Sequence, residues 1–286
     1  MTAIYRLFVF KYYKVMNKEN KVQPLVLNLL KVFIEICEKN HLRYYMIGGG
    51  LIGVLRHKGF IPWDDDIDIG MPREDFDKFV NLASYPEGYG YMSHKTNSEW
   101  QFIFGQFVDL ESEIEIELNE KPRKANVWLD IYPIDGIPGG TMKDKQIRKI
   151  LNIRYLIQVC NLKTQVAKRK ERPLKEKIII KLLHYIPVGR LLNSEKLLIK
   201  LENTLREYSF DNSEYAGNMV GRYREREIAP KEYFGDGVKM PFEDIEVMVP
   251  SKYHELQTLI YGNYMQIPPV EKQETHSVKI IKLRTL

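Results

Sequence analysis

Between Phe60 and Met71 the chain reads Phe-Ile-Pro-Trp-Asp-Asp-Asp-Ile-Asp-Ile-Gly-Met, four acids in five positions wedged among apolar residues. Few folds accommodate such a segment. Neighbouring carboxylates repel one another unless a cation or a base compensates them, so a plain solvated loop or edge strand is a poor home for it. If Ile67 and Ile69 face the core from a β-strand, the two-residue period puts Asp66 and Asp68 together on the opposite face, roughly 7 Å apart. Paired hard carboxylates of this kind hold Mg²⁺ against a phosphate. Gly48, Gly49, Gly50 and Gly53 stand just upstream, and a glycine turn lets backbone N–H groups approach a phosphate with no Cβ in the way. A calcium loop is the competing metal reading, because Asp64, Asp66 and Asp68 match the first, third and fifth positions of an EF-hand. It fails where Ile69 stands in place of glycine and Asp75 in place of glutamate.

The flanking pattern places this segment in an α/β context. Leu25, Leu29, Phe33, Ile36 and Cys37 recur at helical spacing from Pro24 to Lys39, with proline near the first turn, where its missing N–H costs nothing. Tyr44–Ile47 reads as a short strand, Leu51–His57 as a helix, and Pro72 as the opening of another helix with a Phe76, Phe79, Val80 stripe. Between Gln101 and Tyr132 the period changes to two, and Phe102/Phe104, Ile114/Ile116/Leu118 and Val127/Leu129/Ile131 mark three strand candidates. In the third, Asp130 shares a face with Trp128 and Tyr132, which makes it a candidate third carboxylate beside Asp66 and Asp68. Proline and glycine from Pro133 to Gly140 then punctuate the chain. Residues 142–207 read as three basic helices, followed by a strand at Ile245–Val249 and a helix at about Ser251–Tyr261.

Charge is unevenly spread. Residues 142–207 hold 17 Lys or Arg against 6 Asp or Glu, a local excess of 11, although the whole chain of 286 residues carries only +5. Solvated helix faces are the ordinary explanation, and attraction to an anionic membrane surface or a polyanionic acceptor is the functional one. No nucleic-acid-binding motif accompanies the charge. No apolar run reaches the 18 or so residues of a membrane span, and the run Leu7–Phe10 is too short for a signal-peptide core. The first residues mix Phe8, Phe10, Tyr12 and Tyr13 with Arg6, Lys11 and Lys14, as an interfacial helix would, or one docked on the protein's own core. The two cysteines, Cys37 and Cys160, lie in apolar helical patterns and suit core positions in a reducing compartment.

Arg56 precedes the acids, and its planar fork suits phosphate oxygens better than His57 or Lys58 do. Trp63, Trp100, Trp128 and Tyr132 are candidates for an aromatic cage around a quaternary ammonium group, with core packing as their ordinary role. His276 is a further candidate contact to phosphate or metal.

Taken together, Gly48–Gly53, Arg56–Met71, Trp128–Gly136 and Tyr261–Met265 with the prolines and His276 that follow resemble the LicD/fukutin-related family, a branch of the nucleotidyltransferase superfamily. The resemblance spans most of the chain, leaving out the basic middle and the first twenty or so residues. It implies an α+β, polymerase β-like nucleotidyltransferase core with a mixed β-sheet flanked by helices, plus a helical accessory region. The domain reading is a basic, aromatic segment at 1–22, a catalytic core at 23–140, a basic helical region at 141–210 and the C-terminal part of the family domain at 211–286. The implied activity is Mg²⁺- or Mn²⁺-dependent transfer of phosphocholine, or of ribitol or glycerol phosphate, from a CDP-activated donor. The implied acceptor is a lipid-linked or nascent glycan precursor of teichoic acid, lipopolysaccharide or capsule, reached by a cytoplasmic protein touching the inner membrane face. Asp66 and Asp68 match the paired metal ligands and Asp130 the third acid, while Gly48, Gly49, Gly50, Arg56 and His276 are the substrate-binding candidates. Where the family has glycine followed by Thr or Ser, this chain has Gly49 followed by Gly50. Two rival readings are a nucleotidyltransferase attaching NMP to a protein, RNA or small molecule, and an inactive membrane-associated scaffold of glycan assembly.

Overall fold

The computed structural model describes residues 22–96, 102–118, 121–160, 193–269, 273 and 278–284. The N-terminal segment, Trp100, the middle basic helix and His276 lie outside them. Helix α1 (Gln23–Lys39) buries Leu25, Val26, Leu29, Leu30, Phe33, Ile36 and Cys37 on one side, as its spacing predicts. Phe33 is fully buried and meets the rings of Tyr44, Phe79 and Phe107 at 5.5, 5.2 and 6.2 Å, so α1 is riveted to the sheet through edge-on aromatic contacts.

The short strand β1 (Tyr45–Met46) runs into helix α2 (Gly48–His57), and strand β2 (Asp68–Pro72) follows, with helix α3 (Arg73–Val80) directly behind it. Strand β3 (Tyr89–Met92) precedes two long antiparallel strands, β4 (Gly105–Leu118) and β5 (Lys121–Ile137). The main ladder runs β1-β2-β5-β4, and β2 and β5 pair in parallel while their other neighbours are antiparallel. The fold is therefore α+β, with a mixed sheet flanked by helices. Its core fills from one face: Ile67, Ile69, Val127, Leu129 and Ile131 are each at most 1% exposed.

Two strands replace the three expected between Gln101 and Tyr132. Phe102 and Phe104 lie ahead of β4 rather than in a strand. Phe104 instead stacks on Tyr132 at 4.4 Å and Phe102 packs against Phe104 at 5.1 Å, so this alternation serves ring packing. Several short strands also escape the sequence pattern: β6 (Tyr215–Gly217), β7 (Ile228–Pro230), β8 (Val238–Phe242) and β10 (Val278–Lys282). Each borrows its order from a neighbour, β6 from the end of β5, β7 from β6, β8 from β9 (Ile245–Val249) and β10 from β4.

Helix α4 (Gly140–Cys160) and helix α5 (Ser194–Leu205) belong to the basic stretch. Their apolar sides, Ile150, Ile153, Ile157, Leu198, Leu201 and Leu205, pack together against Ile137, Met219 and Ile228. The basic helices thus fuse to the sheet through their own core. Arg206, just past α5, also grips Asp77 of α3 and Glu202, the latter at 2.7 Å. Helix α6 (Tyr253–Tyr261) closes the other side, burying Leu256 and Gln257. Among the described residues no helix is long and apolar enough to cross a membrane.

Candidate active site

Parallel pairing of β2 with β5 sets the site. Asp68 stands directly opposite Asp130 in the ladder, and because paired residues present their side chains to the same face, the two carboxylates are neighbours. The Asp130 N–H donates to the Ile67 carbonyl at 3.1 Å, extending the pairing back toward Asp66. With Ile67 and Ile69 buried in the core, Asp66, Asp68 and Asp130 all line one cleft of about 590 Å³. Asp64 lines it too. The carboxylate oxygens of Asp64, Asp65 and Asp66 lie within 4.8 Å of one another, so the acids crowd together at the loop as well as on the strands. The connection is helix, loop, then strand, not the two helices of an EF-hand.

The third acid is held in place by its neighbours. Gln106, its ladder partner on β4, donates to Asp130 Oδ1 at 2.9 Å, and Trp128 Nε1 donates to Oδ2 at 3.3 Å. Burial, followed by the charges of Asp66, Asp130, Asp64 and Glu227, pushes Asp68 well above the ordinary carboxylate range. The group resists ionising in the apo cleft, which is what a bound divalent cation would reverse.

The glycines open α2 instead of forming a free turn. Gly48 takes a left-handed φ of +56°, and a Cβ there would come within 2.5 Å of Asp68 Oδ2; one on Gly49 would come within 2.8 Å of Asp64 Oδ2. The glycines thus bring the positive end of a helix against the acid cluster, with amide donors facing the cleft. Position 50 has its own reason to lack a hydroxyl. A Cβ on Gly50 would sit 3.0 Å from Met46 Cε and 3.6 Å from Ile67 Cγ2, so the site is already packed. Gly53 has a carbonyl in the way, since its Cβ would fall 2.5 Å from the Gly59 oxygen.

Other candidates fall elsewhere. Arg56 lies at the far end of α2, outside the cleft, and donates to the Gln266 carbonyl at 3.3 Å. Of the aromatic candidates among the described residues, only Tyr132 lines the cleft; Trp63 packs with Ile52, Ile61 and Tyr264, and Trp128 is spent on Asp130.

The opposite wall escapes sequence reasoning. It comes from Asn218, Gly221, Arg222, Tyr223 and Glu227, together with Leu256, Gln257, Ile260 and Tyr261 of α6. Asn218 Oδ1 accepts from the Val220 and Gly221 N–H groups at 3.1 and 2.9 Å, folding the loop on itself. Arg154 of α4 reaches in to donate to the carbonyls of Met219, Val220 and Gly221. The arginine from the basic region therefore acts locally, holding this wall. Gln257 donates to the Gly48 carbonyl at 3.3 Å, while its buried Oε1 has no protein partner among the described residues. Asn218, Gly221 and their neighbours carry no periodic or motif signal; the run of charges around Tyr223 from Arg222 to Glu227 was the available hint.

Burial pushes the Glu227 carboxyl up to about 7, although the Tyr223 N–H donates to its Oε1 at 3.0 Å. An acid that binds its proton more tightly when folded contributes stability below its unfolded value and loses it as pH rises through the folded one. The expected result is a metal-free melting temperature that falls between pH 5 and pH 8, with Glu227 supplying up to about 3 kcal/mol of the change. Glu227→Gln should flatten that slope, as thermal melts across the range would show; an unchanged slope would refute the burial of this charge.

With this geometry in view, three comparisons bear on the chain. Residues 41–156 match the family model described as LicD/FKTN/FKRP, nucleotidyltransferase domain. Over 265 residues the chain is 30% identical to the lipopolysaccharide cholinephosphotransferase LicD of Haemophilus influenzae, covering 90% of this chain and 95% of that protein. A shorter stretch of 55 residues, 19% of this chain and 11% of the relative, is 43% identical to human ribitol 5-phosphate transferase FKRP. These likenesses set the chain among the phosphotransferases. More narrowly, it belongs to the LicD family.

Proposed function

We propose that the protein transfers phosphocholine, or a related phospho-alcohol, from a CDP-activated donor to a hydroxyl of a cell-surface glycan precursor. The observation that carries the reading is the register of Asp68 against Asp130, which lines the cleft with the acids that a nucleotidyltransferase-type core requires. The donor set fits a hard divalent ion: Asp66, Asp68 and Asp130 offer oxygen alone, and the cleft has no His or Cys among its described lining residues. These three would hold Mg²⁺ or Mn²⁺. When bound, the ion would neutralise the diphosphate and the charge developing on it.

The protein's own groups do the rest. Amides at the start of α2 face the donor phosphates, and Arg222 supplies positive charge from the opposite wall. Gln257, whose Nε2 donates to the Gly48 carbonyl, ties α6 to the start of α2 beside the donor site. The acceptor hydroxyl attacks the phosphorus bearing the alcohol; the new O–P bond forms as the bond to CMP breaks, and the hydroxyl proton leaves to a carboxylate or water. The apolar sides of α4 and α5 are turned inward, which leaves the exposed Lys145, Lys196 and Lys200 for an anionic membrane or acceptor surface.

The test is a donor panel with a lipid-linked glycan acceptor. CDP-choline, CDP-ribitol and CDP-glycerol are each assayed for CMP release, beside the four NTPs assayed for pyrophosphate. CMP release from a CDP-alcohol, dependent on Mg²⁺ or Mn²⁺, is the expected outcome. Pyrophosphate release from an NTP alone would reject the reading.

A further inference from the structure

The cleft has more acid than a metal and phosphate site uses. Glu227 stands in the wall facing the aspartates, and its charge is felt by Asp68, Tyr132 and Tyr261 alike, so all four share one electrostatic space. Beside it, the rings of Tyr223 and Tyr261 meet at 4.9 Å with 73° between their planes, and both residues line the cleft. Two tyrosine rings at such an angle make the corner of a box, and Ile260 with Leu256 adds an aliphatic side. Glu227 is tied to this corner, because its Oε1 accepts the N–H of Tyr223 itself.

Aromatic faces, aliphatic contacts and one carboxylate are the chemistry that receives a methylated ammonium ion, which has no N–H to donate and binds through its diffuse charge. Asn218 and Arg154 steady the carboxylate only in part, since burial still holds it above its ordinary range, so a cation beside it favours the ionised form whereas a neutral polyol does not. Arg154 stands behind the loop, but its donors already serve the carbonyls of residues 219–221.

We propose that Tyr223, Tyr261 and Glu227 form the subsite for the quaternary ammonium end of the transferred group, making this protein selective for a cationic cargo over ribitol or glycerol phosphate. The assignment rests on the CDP-alcohol reading above. Its residues lie outside the 41–156 match. The rings set the shape of the subsite and the carboxylate sets its charge.

The decisive probe is a pair of donors of equal shape: CDP-choline and its neutral carbon analogue, CDP-3,3-dimethylbutanol. Binding is measured by calorimetry with Mg²⁺ and without acceptor, and CMP serves as the nucleotide control. Wild type should prefer the charged donor by about tenfold, the scale of one desolvated cation–aromatic contact. Glu227→Gln and Tyr261→Leu should bring the ratio close to one while leaving CMP affinity unchanged, and Tyr261→Phe, which keeps the ring, should retain the preference. Tyr223→Leu gives an independent arm if Tyr261→Leu fails to fold. A wild type that binds both donors equally overturns the subsite alone. Loss of CMP binding in the tyrosine variants also overturns it, by assigning the rings to the nucleoside. Failure of wild type to bind CMP or any CDP-alcohol removes the donor reading and the subsite with it.

Discussion

Asp68→Asn is expected to abolish transfer, by about a thousandfold or more, while the apo protein melts no lower than wild type. The activity loss follows from removing a hard ligand from a site asked to supply several kcal/mol of charge stabilisation in the transition state, at about 1.4 kcal/mol per tenfold in rate. The stability result follows from the apo cleft, where burial and the charges of Asp66, Asp130, Asp64 and Glu227 all oppose ionisation of this carboxyl. A neutral amide of the same shape relieves that repulsion. Added Mg²⁺ should raise the wild-type melting temperature by mass action and leave the variant largely unmoved. The measurements are CMP release and thermal melts with and without the ion. Retained turnover, or an equal Mg²⁺ shift in both proteins, would remove Asp68 from the metal site.

Arg73→Met is expected to destabilise the fold by about 3–5 kcal/mol, the usual result of stranding a buried charge. Arg73 donates to both oxygens of Asp135 at 2.6 and 2.9 Å, and the two residues are 3% and 0% exposed. Burial outweighs even this bidentate partner and holds the Asp135 carboxyl above its ordinary value. A double variant that replaces both partners with apolar side chains, Arg73→Met with Asp135→Leu, should recover most of the loss, because the charge and its countercharge leave together. Urea denaturation of the three proteins checks this, and a single-variant cost below about 1 kcal/mol would contradict it. Neither residue lines the cleft, so the surviving folded fraction should keep its activity.

Legibility from sequence followed period and chemistry. The α1 stripe, the aliphatic alternation of β5 and the acids between Ile67 and Ile69 were all readable, because burial on one face leaves a period behind. Asp130 was readable as sharing the polar face with Trp128 and Tyr132, but its register against Asp68 was not, since parallel pairing joins residues 62 positions apart. The glycines pointed to close backbone approach. That they start a helix, with Gly48 left-handed against Asp68, depends on what lies opposite. Phe102 and Phe104 imitated a strand because rings stacked on Tyr132 also alternate. The second wall was silent for a physical reason: Asn218 and Arg154 order it through backbone groups, and carbonyls carry no residue signature.

The parallel pair has a further consequence. Asp68 and Asp130 are register partners on adjacent strands inside the sheet, so their spacing is as rigid as the hydrogen bonds between the strands. The facing wall is a loop folded around an asparagine and propped by a single arginine. The proposed metal-binding acids and the proposed cargo subsite are thereby carried by parts of unequal stiffness, and substitutions at Tyr223 or Glu227 can reshape that subsite without touching the β2–β5 pair.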